Sequence, residues 1–182
     1  MKTLSEHILD IIQNSIRAKA TLIEIIVTED KKKDLCSLII EDNGCGMNEE
    51  ILKQATNPFF TSRNTRKVGL GLSLLKQNAE QANGSFNLVS ETGKGTAVEA
   101  SFQLSNLDRP PLGDVWNSYY LTLMSHDDID INYKHVTENG IFSLKSRELK
   151  EMLGDISFME KEIKKAIIEL IKNNLKDINA LN

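Results

Sequence analysis

Apolar residues recur every three to four positions at the start of the chain. Leu4, Ile8, Ile11, Ile12 and Ile16 fall on one face, so residues 3–19 are predicted to form an amphipathic helix. LIEIIVTED, about 21–29, alternates and is rich in β-branched residues; DLCSLIIED gives a second strand at about 35–41. Lys31, Lys32, Lys33 and Asp34 make the charged turn between them. DNGCGM at 42–47 is a glycine-punctuated loop, and Asn48 can cap a short helix, NEEILKQAT. Residues 57–69 are polar and basic with no period, and they read as a loop. LGLSLLKQNAEQAN predicts a helix over 70–83 with Gly84 as its left-handed terminator. SFNLVSE and GTAVEASFQL then form a hairpin around Thr92-Gly93-Lys94.

Two of the three prolines fall in SNLDRPPLG, 105–113, which reads as a linker. Beyond it DVWNSYYLTLMSH predicts a packing helix that carries Trp116, Tyr119 and Tyr120. DIDINYKHV alternates, Asn139-Gly140 signals a hairpin, and IFSLK returns. Ser146 can cap RELKEML, and a last helix puts Ile163, Ile167, Leu170, Ile171, Leu175 and Ile178 on one face.

Composition narrows the class. The chain has 182 residues, 40 % of them hydrophobic, enough for a real core. A net charge of -4 argues against a nucleic-acid surface, and no apolar run is long enough for a membrane span. Cys36 and Cys45 have neither metal-ligand nor disulfide-framework spacing. With no signal-peptide pattern at the start, a reduced, cytoplasmic protein is expected.

Four segments carry candidate chemistry. Asp10 and Asn14 lie one turn apart on the first helix; a carboxamide oxygen suits magnesium and a carboxylate can act on a water. Arg17 lies near the same face and can reach a phosphate. Asp42 follows a strand, and its acceptor-only carboxylate can take a proton from an exocyclic amine. Gly69-Leu70-Gly71-Leu72 opens a helix, whose free N–H groups attract phosphate. That segment is no dinucleotide fingerprint, since no strand immediately precedes it and the third glycine is missing; in Gly93-Lys94-Gly95-Thr96, Thr96 begins a strand, and the upstream glycine of a Walker sequence is absent. Each segment alone also has an ordinary reading as a solvated face or a turn.

Their order carries more than any one of them. DIIQNSIRA resembles the N box of the Bergerat-fold (GHKL) ATPases, the superfamily of DNA gyrase B, MutL and sensor histidine kinases. DNGCGM resembles the G1 box, NPFFTSR the F box, VGLGLSLL the G2 box and GKGT the G3 motif, all in the expected order over about 7–104. The resemblance implies ATP and Mg2+ as ligands, with the metal at Asn14 and phosphate contact from Arg17. Asp42 would accept from the adenine amino group, with Thr96 helping through water. Gly44 and Gly46 would let the base approach, beside Met47. Gly69, Leu70, Gly71 and Leu72 would face the phosphates. Pro58 to Arg63, including Thr61, would form a lid with Lys67, anchored by Phe59 or Phe60.

Asp10 takes the candidate catalytic position, where hydrolysing members carry Glu and many kinases Asn. The fold it implies is α+β: a two-layer α/β sandwich with a mixed, mostly antiparallel sheet under helices. Residues 1–106 would be the ATP-binding domain and 107–182 a small α/β extension. His7, His126 and His135 stand outside any H-box sequence, and six residues precede the first of them. The expected function is therefore phosphoryl transfer to a separate protein in signalling. The alternatives are an ATP hydrolase with a lid-driven cycle and an anti-sigma-like nucleotide-sensing module. A protein partner or phosphoacceptor, and a homodimer, are the assemblies considered.

Overall fold

A computed structural model describes residues 1–57, 70–154 and 156–181. The first helix, α1 (Leu4–Arg17), turns Leu4, Ile8, Ile11 and Ile12 inward; the Thr3 hydroxyl accepts from the Glu6 amide and caps its start. Strands β1 (Leu22–Asp30) and β2 (Leu35–Asp42) alternate buried and outward positions and pair antiparallel. Helix α2 (Glu49–Gln54) is capped by the Asn48 side chain, as its sequence predicts.

Helix α3 (Gly71–Gln81) leads into the hairpin of β3 (Phe86–Glu91) and β4 (Gly95–Gln103). Its terminator differs from the expectation. Asn83 takes the left-handed conformation, and the Gly84 amide donates to the Ala79 carbonyl in a Schellman-type closure. Gly84 is small for another reason: a Cβ there would stand 1.7 Å from the Ser101 carbonyl oxygen.

Among the described residues, six strands form one sheet in the order β3-β4-β2-β1-β5-β6. Strand β5 (Asp130–Thr137) runs parallel to β1, and β6 (Gly140–Lys145) folds back on β5; all other pairings are antiparallel. The expected α+β sandwich is thus the observed architecture. The segment 105–113 is fastened down rather than a free linker: Pro111 and Leu112 carbonyls accept the Leu4 and Ser5 amides at the start of α1.

Helix α4 (Val115–Ser125) packs on α1 and buries Tyr119 and Tyr120. Helices α5 (Ser146–Leu153) and α6 (Lys161–Asp177) follow. Two expectations fail here. Ser146 lies inside α5 rather than capping it, because its hydroxyl is taken by the Ile131 amide of β5. Leu170 stays 43 % exposed, while Ile167, Ile171, Leu175 and Ile178 are buried. Lys172 lies 4.8 Å over the half-buried Trp116 ring and ties α6 to α4. The tail is closed by a buried trio: His135 bridges Tyr133 at 2.6 Å and Glu29 at 2.7 Å, and Glu29 also accepts the Leu181 amide.

Candidate functional site

The site grows from α1, β2 and the first turn of α3. At the end of β2, Asp42 accepts the Ser15 hydroxyl at 2.7 Å and the Gly44 amide at 2.8 Å. Each carboxylate oxygen has one donor in place and keeps capacity for another. Thr96 is the registered partner of Asp42 across the β2–β4 ladder. Its hydroxyl lies 2.9 Å from that of Ser90, which also receives the Met47 amide at 2.8 Å. Ser15 and Ser90 were not legible as site residues. The one available signal for Ser15 was a hydroxyl at a position where the period of α1 asks for an apolar residue.

The glycines have reasons within the chain itself. A Cβ on Gly46 (φ +64°) would lie 2.0 Å from the Glu91 carbonyl oxygen. One on Gly95 (φ +109°) would lie 1.9 Å from the Asp42 carbonyl oxygen, so the G3 turn rests directly on the G1 strand end. Gly44 is buried against Ala18.

Asp10 and Asn14 are half-buried on α1. Arg17 donates to the Asn14 carboxamide oxygen, the atom assigned to metal in the sequence reading. Gly71 packs on Asp10 so closely that a Cβ would stand 1.8 Å from its Oδ2. Leu70 makes no side-chain cap bond to α3, whose first-turn N–H groups, like those of any helix, have no intrahelical acceptor and carry the positive end of the dipole. Leu72 is half-buried in that turn. Thr61, Arg63, Lys67 and Gly69, together with Pro58, Phe59 and Phe60, lie outside the described residues.

Asp10 and Ser15 are five residues apart on α1, roughly 7.5 Å along its axis. One end of that interval touches the start of α3 and the other holds Asp42. Asp10, whose Oδ2 fills the position a Gly71 Cβ would take, and Asn14, whose Oδ1 accepts from Arg17, offer hard oxygen donors of the kind that suits a divalent ion. A separate groove of about 380 Å³, lined by Glu24, Ile26, Asn132 and Lys134 among others, opens on the outward face of the sheet, away from these groups.

Comparison with known proteins decides the family. The model of the histidine kinase-, DNA gyrase B-, and HSP90-like ATPases matches residues 2–106. The chain belongs to this family. As a histidine-kinase-like ATP-binding domain it is similar to a sensor protein of Shewanella frigidimarina, 37 % identical over 107 residues, which are 58 % of this chain and 16 % of that protein. The sensor histidine kinase YvrG of Bacillus subtilis is 30 % identical over 98 residues, 52 % of this chain and 17 % of the relative. The chain thus spans about one sixth of the length of these curated relatives.

Among solved structures, the N-terminal domain of a DNA repair protein superposes with a TM-score of 0.54 at 19 % identity, over 80 % of this chain and 52 % of that one. It shows the shared fold. The matched share exceeds what residues 2–106 can supply, so the likeness extends into the strands and helices after 106. Among the described residues, no helix is long and apolar enough to cross a membrane.

Proposed function

We propose that this chain binds ATP with magnesium and transfers its γ-phosphoryl group to a separate protein. One observation carries the reading: α1 holds an oriented acceptor, Asp42, at one end of a short interval and the uncapped start of α3 against Asp10 at the other. Asp42 is then the partner of the adenine amino group, with Thr96 and Ser90 beside it. The main-chain amides of Leu70, Gly71 and Leu72 take phosphate oxygens. Magnesium, when bound, neutralises charge on the β- and γ-phosphate oxygens. Asn14 is its protein ligand, with Arg17 turning from the carboxamide to the phosphates.

In the transfer, an acceptor atom of the partner protein forms a bond to the γ-phosphorus while the bond to the β–γ bridging oxygen breaks. ADP leaves with the electron pair. Asp10, next to Gly71 at the start of α3, is the residue we assign to take the acceptor's proton.

The same placement of Asp10 supports a second reading, hydrolysis, in which the acceptor is water. Calorimetry with ATP and a non-hydrolysable analogue, with and without magnesium, tests binding; Asp42→Ala must abolish it. Radiolabel moving from ATP to an added protein supports the kinase reading. Inorganic phosphate release that Asp10→Asn stops, with binding kept, supports hydrolysis instead. No affinity for ATP at millimolar concentration overturns both.

A further inference from the structure

His7 lies one turn before Asp10 on α1 and is 1 % exposed. Its Nε2 meets the Asn78 side-chain amide of α3 at 2.9 Å. Gly71 and Asn78 are seven residues apart on α3, two turns, so the helices are held at two places: Gly71 on Asp10, and Asn78 on His7. The second contact is polar where an apolar pair would pack as well. Among the described residues the His7 Nδ1 is buried without a well-formed hydrogen bond, the Gly71 main chain being the polar group of α3 that faces the ring. A buried polar atom in that state is destabilising. Burial alone therefore gives no reason for a histidine here. A hydrogen bond between a planar ring and a planar amide does what methyl contacts do not: it fixes separation and angle.

We propose that His7 is a positioning residue for the nucleotide: through Asn78 it sets where the first turn of α3 stands relative to Asp10, and so where the phosphates are met. This rests on the ATP-binding reading above. The groups around the ring are Asp10 and Glu6 on its own helix, the Gly71 main chain of α3, and the ammonium group at the chain start. They surround it at the phosphate end of the site and away from Asp42.

The test is a ratio of affinities. Calorimetry with magnesium gives Kd for ATP and for adenosine, using the full chain and the variants His7→Gln, Asn78→Leu and both together. Each single change is expected to weaken ATP about tenfold, roughly the worth of one hydrogen bond. Adenosine, held at the Asp42 end, should change less than twofold, and the double variant should be no worse than either single one. An unchanged ATP-to-adenosine ratio overturns the proposal, as does an equal loss of both ligands. If the unaltered chain fails to bind ATP, the underlying reading falls first and this one with it.

A second readout needs no altered fold. In spectra of labelled histidine, the His7 ring, identified by its absence from His7→Gln, should shift on adding ATP and stay still on adding adenosine. Equal response to both ligands, or to neither, overturns the assignment.

Discussion

The Ser15 hydroxyl and the Asp42 carboxylate meet at 2.7 Å, 27 residues apart in sequence. The bond locks the end of β2 to the buried side of α1. A hydrogen bond to a charged group is worth about 1.5–3 kcal/mol, and the half-burial of Asp42 puts this one near the lower bound. Ser15→Ala should lower stability by about 1–2 kcal/mol. It should also weaken ATP about tenfold, since a misaligned acceptor loses roughly one hydrogen bond. Chemical denaturation and calorimetry check the two effects. Wild-type values in both would show that Asp42 needs no orientation.

Gly95 carries the strongest backbone constraint near the site, with φ at +109° and the Asp42 carbonyl oxygen in the way of any Cβ. Gly95→Ala should cost about 2–4 kcal/mol. For a chain of this size the melting temperature should fall by roughly 4–16 °C. A melt within a degree of the parent would contradict the close approach of the two strand ends.

The two cysteines should separate chemically. Burial pushes the Cys36 thiol up to about 11, whereas Cys45 is exposed in the glycine loop. Brief treatment of the native protein with a maleimide at pH 8 should add one label, at Cys45. Mass spectrometry showing two labels before unfolding would refute the burial of Cys36.

Acid should act through His7. Burial holds its imidazole below the ordinary 6.5, and the positive chain start adds to this; the Gly71 main chain, Asp10 and Glu6 pull the other way. The unfolded chain accepts a proton near 6.5 that the folded chain resists. The stability tied to a neutral His7 is therefore complete above that value and declines as the pH falls below it. Denaturation midpoints of the parent should drop between about pH 7 and pH 5 more steeply than those of His7→Gln. Parallel curves would exclude the effect. Asp34 acts in a lower window: hydrogen bonds from Ser105 and Gln103 hold its carboxyl below 3.8, so its contribution is lost only as the pH falls through more acid values.

Removal of residues 107–182 should disable the part that matches the family. It strips β5 from the edge of β1, and with it α4 from α1 and the Pro111 and Leu112 carbonyls from the α1 start. The shortened chain should aggregate and melt without a cooperative transition. A monomer with the parent's melting curve would show that 1–106 stands alone. Tail function is thus better probed by surface substitutions than by deletion.

Local rules made most elements legible. The period of Leu4, Ile8, Ile11 and Ile12 marked α1, and alternation marked β1, β2 and β5, because each pattern depends on neighbours in sequence. Asn83 displaced Gly84 as terminator since both tolerate the left-handed region, and the close approach to Ser101 was invisible locally. Ser146 looked like a cap because nothing nearby revealed that the Ile131 amide would claim its hydroxyl. At the site, ordered motifs brought Asp10, Asn14, Asp42 and Thr96 forward. Ser15, Ser90 and His7 stayed hidden because their significance lies in partners 27, 43 and 71 residues away.

The parallel seam between β1 and β5 also bears on the birth of the protein. Glu24 and Asn132, side by side across it, are separated by 108 residues. At ribosomal speeds of about 5–20 residues per second, β1 waits roughly 5–20 s after its own synthesis before its neighbour exists. Throughout that interval the N–H and C=O groups along one edge of β1 have no strand to pair with.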